Sequence, residues 1–250
     1  MTGGLVLLGW FAYLWFKLPP APYEYQLIAE GDSKQFAQMD LEDWPELKLG
    51  QYKVQADGVD KPIAEFIVAR QNEGPPVLIY WKNSTNEILY NFDRKPSELS
   101  TLAAAISKHA PKDALILSWW DTSRQIKLLT GHDTLFTNHL NEPLMIPVTW
   151  LEQSKAIQAY ENQFWGSKIN PQEREQFERF SQALAAPAEE GVKQLRELIG
   201  SNREAYVIVH VTDLYRLGIM YPDKMGVAYQ NFPMTGNMHG MINQMKVQLK

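Results

Sequence analysis

The first stretch of the chain is apolar enough to predict a membrane anchor. Within residues 1–18 the only charged side chain is that of Lys17, and positions 5–16 are apolar almost throughout. A helix that spans a bilayer needs about 20 such residues, with a range of roughly 17 to 25. A cleaved secretory signal is the alternative, but the segment lacks a basic start and an obvious small-residue cleavage site. We therefore expect an uncleaved single-pass helix over residues 1–18.

Residues 19–95 have the patterns of short strands and predict a β-rich region next to the membrane. The region begins with a stiff proline-rich spacer, because proline fixes its own φ and discourages helix in the residue before it. A turn-rich stretch that contains Gly50, Gly58 and Pro62 separates the first two predicted strands. We expect strands over 23–29, 63–68, 77–81 and 88–90, with a hairpin at 83–86 between the last two.

From residue 96 onward the pattern changes to alternating helices and strands. Apolar residues at helical spacing predict a helix that begins at Ser97 as N-cap and stops before Pro111. A buried strand at 114–117, a helix at 122–130 closed by Gly131 and a strand at 134–136 follow. This alternation predicts a parallel βαβ-type core.

Further capping signals predict two more helices and one deeply buried strand. Asn170 and the Pro171 that follows it indicate one helix start, and Pro187 opens the next, which ends at Gly200. The inward residues of that second helix are expected to be Val192, Leu195 and Ile199. Residues 206–211 predict the clearest buried strand, with His210 as a core histidine. After it comes a Met-rich tail, which suits loose core filling or a docking segment.

The predicted fold is therefore a mixed α+β (α/β) chain in three parts. Residues 1–18 form the anchor, residues 19–95 the β-rich region, and residues 96–250 an α/β domain with the Met-rich tail.

Composition excludes several classes of function. The formal net charge is −5, so the chain lacks the basic character of a nucleic-acid-binding protein. There is no cysteine, which excludes disulfides, covalent c-type haem, iron–sulfur clusters and cysteine-ligated zinc. We expect no cofactor. Eight tryptophans and eleven tyrosines suit either an interface with a membrane, saccharide or protein, or an aromatic-rich core.

The most informative local feature is Trp119, Trp120 and Asp121 at the carboxyl end of the predicted strand 114–117. Ligands of open α/β sheets bind at this edge, so we predict a binding surface there that also includes Arg124 and Gln125. Asp121 has two interpretations: it accepts hydrogen bonds from a ligand, or it caps the helix that follows, and the cap is favoured. For Arg124 a solvated helix face is the default, with an anion or Asp121 as alternative partners.

A metal site and a catalytic centre are not predicted. His132, Asp133 and His139 form the most compact His/carboxylate group, with Glu142 nearby. A metal needs convergent ligands in defined geometry, and these residues have no i, i+4 helical spacing. The sequence also has no phosphate-binding loop, nucleophile elbow or zinc-protease motif, so we assign no catalytic residues.

Residues 117–138 resemble the Trp-Trp-Asp region of oligosaccharyltransferase catalytic subunits. That resemblance implies that Trp119, Trp120 and Asp121 recognise the hydroxyl residue of an acceptor peptide. Thr122 and Ser123 replace the family's Tyr-Gly, and the many-helix membrane domain that holds its metal and donor is absent. The hypothesis it leaves is a degenerate peptide- or glycan-binding domain.

Most of the chain resembles the HaoB family, which is encoded beside hydroxylamine oxidoreductase in ammonia- and methane-oxidising bacteria. The hydrophobic anchor, residues 118–131 and residues 207–222 are the basis of this likeness. It implies an inner-membrane, non-catalytic accessory or assembly protein with a periplasmic soluble domain. Lys17 alone indicates the opposite, cytoplasmic side. The implied protein partner is hydroxylamine oxidoreductase or a membrane monooxygenase complex.

Overall fold

The computed structural model describes residues 10, 20–84, 96–139, 147–166, 170–200 and 203–226. The strands are β1 (Tyr23–Asp32), β2 (Leu47–Ala56), β3 (Ala64–Gln71), β4 (Val77–Asn83), β5 (Leu115–Leu117), β6 (Asp133–Thr134) and β7 (Ala205–Val207). The helices are α1 (Pro96–His109), α2 (Trp120–Thr130), α3 (Ser154–Trp165), α4 (Pro171–Leu184), α5 (Ala188–Ile199) and α6 (Val211–Met220). Short 3₁₀ helices occupy Ala37–Met39 and Val148–Gln153. The mixed α+β class is confirmed.

The first four strands form an antiparallel sheet in the order β1-β2-β3-β4. The strands predicted near 23–29, 63–68 and 77–81 are confirmed. The prediction of a turn at Gly50 is wrong, because this residue lies inside β2 and pairs with Glu30 and Val68. A Cβ at this position would lie 3.0 Å from the ring of Tyr52. Glycine therefore leaves room for the ring within the strand.

Apolar side chains cover both faces of this antiparallel sheet. One face packs on the first 3₁₀ helix, α1 and α2 through a core that includes Leu49, Ile67, Ala103 and Leu129. The other face packs on α3 through Val54, Phe66, Val68 and Trp165, with a rim of tyrosines.

The remaining strands form a three-stranded sheet in the order β6-β5-β7, in which β5 is parallel to both neighbours. This confirms the predicted parallel core. Helices α1 and α2 contact both sheets, because Ala103 and Leu129 belong to the antiparallel-sheet core while Ile106 and Ile126 pack on Ile116 of β5. Strands β2 to β4 and helices α1 and α2 consequently share one core.

Helix starts and ends agree with the local sequence in most cases. Asn170 caps α4 as predicted, and its side chain accepts hydrogen bonds from the backbone N–H groups of Gln172 and Glu173. Gly131 ends α2 in a left-handed conformation with φ of 72°. Ser97 is not the cap of α1, because that helix already begins at Pro96.

The prediction that Val192 faces inward is wrong. Its side chain is 51% exposed, while Leu195 and Ile199 pack on the core between β5, α4 and α6, which we name the second core. The inward stripe of α5 begins at Gly191, where an added Cβ would lie 2.4 Å from the carbonyl oxygen of Ala183. The close approach of α4 at this glycine rotates Val192 towards solvent.

The predicted long strand at 206–211 is also wrong. Strand β7 ends at Val207, and His210 is the N-cap of α6 rather than a core histidine. The His210 ring accepts a hydrogen bond from the backbone N–H of Thr212, and the backbone N–H of His210 donates to the carboxylate of Asp213. These reciprocal bonds start a helix where the apolar pattern alone predicts continued strand.

The predicted anchor, the strand at 88–90 and most of the Met-rich tail lie outside the described residues. Within the described part of the tail, Met220 and Met225 pack against the second core. No helix in the described ranges combines the length and the apolar character that crossing a bilayer requires.

Candidate functional site

The carboxyl ends of β5 and β7 lie where the three-stranded sheet changes direction. The chain leaves the central strand β5 through α2 to reach β6 on one side, and later returns on the other side as β7. Ligands of open α/β sheets bind in the crevice at such a switch point. The topology thus places a candidate site between the first turns of α2 and the residues that follow β7.

A cleft of about 320 Å³ opens at this position, and we name it the switch-point cleft. Its walls come from the middle of β4, the first half of α1, the start of α2 and the segment between β7 and α6. The lining residues are Ile79, Tyr80, Glu98, Leu99, Leu102, Thr122, Gln125, Ile208, Val209 and His210. The volume lies at the lower end of the range for ligand pockets, about 300 to 1,000 Å³.

Glu98 and His210 face each other at the cleft, with Nε2 of His210 3.7 Å from Oε2 of Glu98. Nδ1 of His210 accepts the N–H of Thr212 at 3.2 Å and also contacts the Thr212 hydroxyl at 2.8 Å. In its neutral form the ring therefore bears its proton on Nε2, towards Glu98. Because the Nδ1 lone pair is used in the helix cap, the ring has no basic nitrogen free for proton abstraction.

Asp121 lies beside the cleft but is not a helix cap. Helix α2 begins at Trp120, so Asp121 is in its first turn, and its Oδ1 accepts the N–H of Thr122 at 2.7 Å. Its Oδ2 is 3.2 Å from Nη2 of Arg216, and Nη1 of the same guanidinium is 3.4 Å from Oδ1 of Asp213. Burial alone would lower the pKa of Arg216, but the two carboxylates outweigh it and raise that pKa above its ordinary value.

The two tryptophans of the motif have different surroundings. Trp119 is 1% exposed and packs edge-on against Phe177, with the guanidinium of Arg216 5.3 Å from its ring centre. Trp120 is half-buried and meets the ring of His139 edge-on at 4.6 Å. Trp119, Trp120 and Asp121 thus do not form one open surface.

The default prediction that Arg124 lies on a solvated face is wrong, because α2 is covered by both sheets. Arg124 is 4% exposed and donates to the carbonyl of Pro76 at 2.6 Å and to Nδ1 of His139 at 3.1 Å. Burial lowers its pKa to about 10, so it stays charged at neutral pH. Gln125 lines the cleft, and its amide donates to the carbonyl of Leu78 at 2.6 Å.

The three weak metal-ligand candidates do not form a shared site. His139 is neutral, since burial and the neighbouring Arg124 lower its pKa to about 3. His132 is buried, with Nδ1 against the hydroxyl of Thr130. Exposed Asp133 pairs instead with Arg203 at 2.7 Å, a contact that lowers the pKa of Asp133. In the part of the chain that the structure describes, no three His, Asp or Glu side chains are grouped to hold a metal ion.

Comparison with known proteins identifies the family. A family model described as HaoA-associated protein HaoB matches residues 1–250, the whole chain. This chain belongs to the HaoB family. No curated protein and no solved structure gives a significant match, so roles of residues in this HaoB-family chain rest on its own geometry.

Most residues that line the switch-point cleft were not predicted from the sequence. Glu98, Leu99 and Leu102 have the pattern of an ordinary amphipathic helix, and His210 has that of a core strand. Only the tertiary structure brings α1 and the segment after β7 to the start of α2. A signal was available in 207–211, where three valines alternate with other residues, and all three valines are exposed in the structure.

Proposed function

We propose that this HaoB-family chain is a membrane-anchored, non-catalytic accessory protein of bacterial hydroxylamine oxidation that binds HaoA through the switch-point cleft. The family description associates HaoB with HaoA, the hydroxylamine oxidoreductase, and this supports an accessory role in nitrification. The observation on which the binding surface rests is the apolar cleft at the sheet's switch point.

The surroundings of the cleft favour a protein segment as its occupant. Val209 lines the cleft and is 43% exposed, and Val211 and Leu214 extend this exposed apolar surface onto α6. Contiguous exposed apolar surface is typical of protein contact sites. Glu98 at the cleft adds a carboxylate with a half-exposed side chain. A HaoA segment that combines apolar side chains with a basic residue would match this surface.

Two polar groups at or beside the cleft, His210 and Asp121, are engaged in structural contacts, which supports a binding role. His210 uses Nδ1 to cap α6, and the Asp121 carboxylate is held by Arg216 and the N–H of Thr122. A general base needs an accessible lone pair within hydrogen-bond reach of its substrate. In this geometry neither group offers one to a molecule in the cleft.

The proposal includes a single-pass anchor at residues 1–18, with the folded part on the periplasmic side of the inner membrane. The apolar run at positions 5–16 supports the anchor. The association of the family with hydroxylamine oxidation supports the location.

Co-purification from native membranes with matched variants tests the proposal. Val209→Lys places a charge on the exposed rim of the cleft, whereas Val148→Lys changes a valine that is 84% exposed in the 3₁₀ helix before α3. After gentle detergent extraction, we expect HaoA to accompany the wild type and Val148→Lys but to be lost from Val209→Lys.

Three results would contradict the proposal. Equal recovery of HaoA with Val209→Lys would exclude the cleft as the contact. Recovery of the wild type alone would exclude a stable partner. Recovery with a membrane monooxygenase in place of HaoA would replace the proposed partner.

A further inference from the structure

A second polar cluster lies between β1 and α3 and has no part in the proposed function. The side chain of Glu161, 8% exposed, accepts hydrogen bonds from three aromatic side chains. The hydroxyls of Tyr23 and Tyr25 both donate to Oε1, the latter at 2.5 Å, and Nε1 of Trp165 donates to Oε2 at 2.6 Å. All three donors are tyrosine or tryptophan side chains, the aromatic residues that are most easily oxidised by one electron.

Rings in close contact connect this carboxylate to two half-buried tryptophans. Successive ring centres are 5.5, 5.6, 6.4, 4.6 and 4.6 Å apart. We name the set the Glu161 relay, and its rings in order are Trp150, Tyr23, Tyr25, Trp165, His139 and Trp120. No gap along it is longer than the 6.4 Å between Tyr25 and Trp165.

The protonation of the two tyrosines suits coupled loss of an electron and a proton. Burial, and then the charge of Glu161, raise the pKa of both Tyr23 and Tyr25 far above the ordinary value. Both phenols therefore stay protonated at neutral pH and direct their O–H groups at a carboxylate oxygen. A phenol that loses one electron becomes a strong acid, and the oxygen that accepts its hydrogen bond is placed to receive the proton.

We propose that the Glu161 relay is a proton-coupled one-electron site that a strong one-electron oxidant oxidises. With ruthenium(III) tris(bipyridine) as the oxidant, one electron leaves the Tyr23 or Tyr25 phenol by way of Trp150 and reduces ruthenium(III) to ruthenium(II). The phenol O–H bond breaks, its proton forms a bond to Oε1 of Glu161, and a neutral phenoxyl radical remains. The products are thus ruthenium(II), a tyrosyl radical and a protonated Glu161.

The second core shows what aromatic packing requires without this chemistry. Phe136, Phe177 and Phe180 pack there edge-to-face at 5.5 and 5.7 Å. The buried carboxylate of α4, Glu173, accepts its hydrogen bonds from Thr137 and Asn138 and from no oxidisable aromatic side chain. Burying a carboxylate opposes folding unless hydrogen bonds or charges compensate it. Packing of α3 on the sheet therefore does not by itself explain a buried acid with three oxidisable donors.

Photo-oxidation of the full-length protein tests the relay. Photoexcited ruthenium tris(bipyridine) with a cobalt(III) quencher serves as the one-electron oxidant, and electron paramagnetic resonance identifies the radical. We expect a neutral tyrosyl radical whose rate of formation does not change with buffer concentration, since the base is internal. Glu161→Gln keeps an acceptor oxygen but removes the base, so we expect formation slower by about 100-fold and dependent on buffer. Tyr80→Phe, a change at a tyrosine outside the relay, should leave both properties unaltered.

Each contrary result would overturn the proposal. These are an unchanged rate in Glu161→Gln, a rate in the wild type that rises with buffer concentration, or a full radical signal in the Tyr23→Phe/Tyr25→Phe double variant. The buffer series on the wild type decides the question even where a variant fails to fold. Because none of these readouts involves HaoA, failure of the relay is distinct from failure of the proposed binding role.

Discussion

Two of the carboxylates that the described residues bury, Asp121 and Glu161, are compensated in opposite ways. Asp121 is matched by a cation, the guanidinium of Arg216 at 3.2 Å. Glu161 is matched by hydrogen bonds from neutral aromatic donors, with no Lys, Arg or His of the described residues within ion-pair distance. An ion pair neutralises its acid and fixes the wall of the cleft. The charge of Glu161 is instead stabilised by the dipoles of neutral donors.

Removing the cation should have the largest effect on stability. Arg216→Met leaves Asp121 and Asp213, both buried, without the guanidinium that contacts them. Breaking a buried pair in this way costs about 3–5 kcal/mol. In urea unfolding we expect a loss of that size, whereas the control Arg174→Met, which breaks an exposed i,i+4 pair with Glu178, should change stability by about 0.5 kcal/mol or less. Equal effects of the two variants would show that the Asp121 pair is not a buried one.

Lowering the pH tests the contribution of His139 to stability. Its ring contacts Arg124, which lies on the same helix as Asp121, and stacks on Trp165, which donates to Glu161. Its pKa is about 3 in the folded chain, against about 6.5 for an unfolded histidine. Between these two pH values the unfolded chain binds a proton at His139 that the folded chain does not. The contribution of His139 to the stability of the folded chain is therefore complete above pH 6.5 and is lost as the pH falls towards 3. His139→Gln removes the titrating group and keeps an acceptor for Arg124.

The measurement is the free energy of unfolding of both proteins over this pH range. We expect the wild type to lose more stability on acidification than His139→Gln does. Parallel curves would mean that His139 titrates in the folded chain as it does in the unfolded one.

Glu161→Gln should be less costly than loss of Arg216, because the amide keeps one acceptor oxygen and leaves no buried charge. Its NH₂ group nevertheless faces either the Tyr25 hydroxyl or the Trp165 N–H, and both now donate to the carboxylate. Hydrogen bonds to charged groups contribute about 1.5–3 kcal/mol each, so we expect a destabilisation of about 2 kcal/mol in urea. A loss as large as that of Arg216→Met would remove the contrast between the two carboxylates.

The smallest expected effect on stability is that of Val209→Lys at the rim of the cleft. The side chain is already 43% exposed, so the free energy of unfolding should change by about 0.5 kcal/mol or less. Thermal unfolding checks this, and it is the control that makes loss of HaoA by this variant interpretable. A large decrease in stability would show that Val209 packs rather than binds.

Local patterns in the sequence were sufficient for elements with their own start and stop signals. The Asn170 cap, the Gly131 end of α2 and the parallel strands around β5 follow from residues close together in the chain. The predictions for Gly50 and His210 were wrong because the structural role of each residue depends on a neighbouring side chain or backbone group. The glycine accommodates the Tyr52 ring, and the histidine ring exchanges hydrogen bonds with the next helical turn.

The site was harder to predict than the fold. The motif predicts a binding edge after β5, and the open surface at that edge is the cleft beside the motif, since Trp119 itself is buried. Helix α2 has polar residues such as Arg124 on faces that would be exposed to solvent if only one sheet packed against the helix. Because both sheets cover this helix, those residues became interior contacts, and no periodicity within α2 predicts that second layer.

Hydrogen exchange of the full-length protein, with and without purified HaoA, tests the central claim most directly. We predict that HaoA slows exchange in the first turns of α1 and in residues 208–214, the segments that form the cleft and its exposed apolar rim, while the outer strand β1 is unchanged. Protection confined to other segments, or no protection at concentrations where the two proteins co-purify, would contradict the assignment of the switch-point cleft as the HaoA-binding surface.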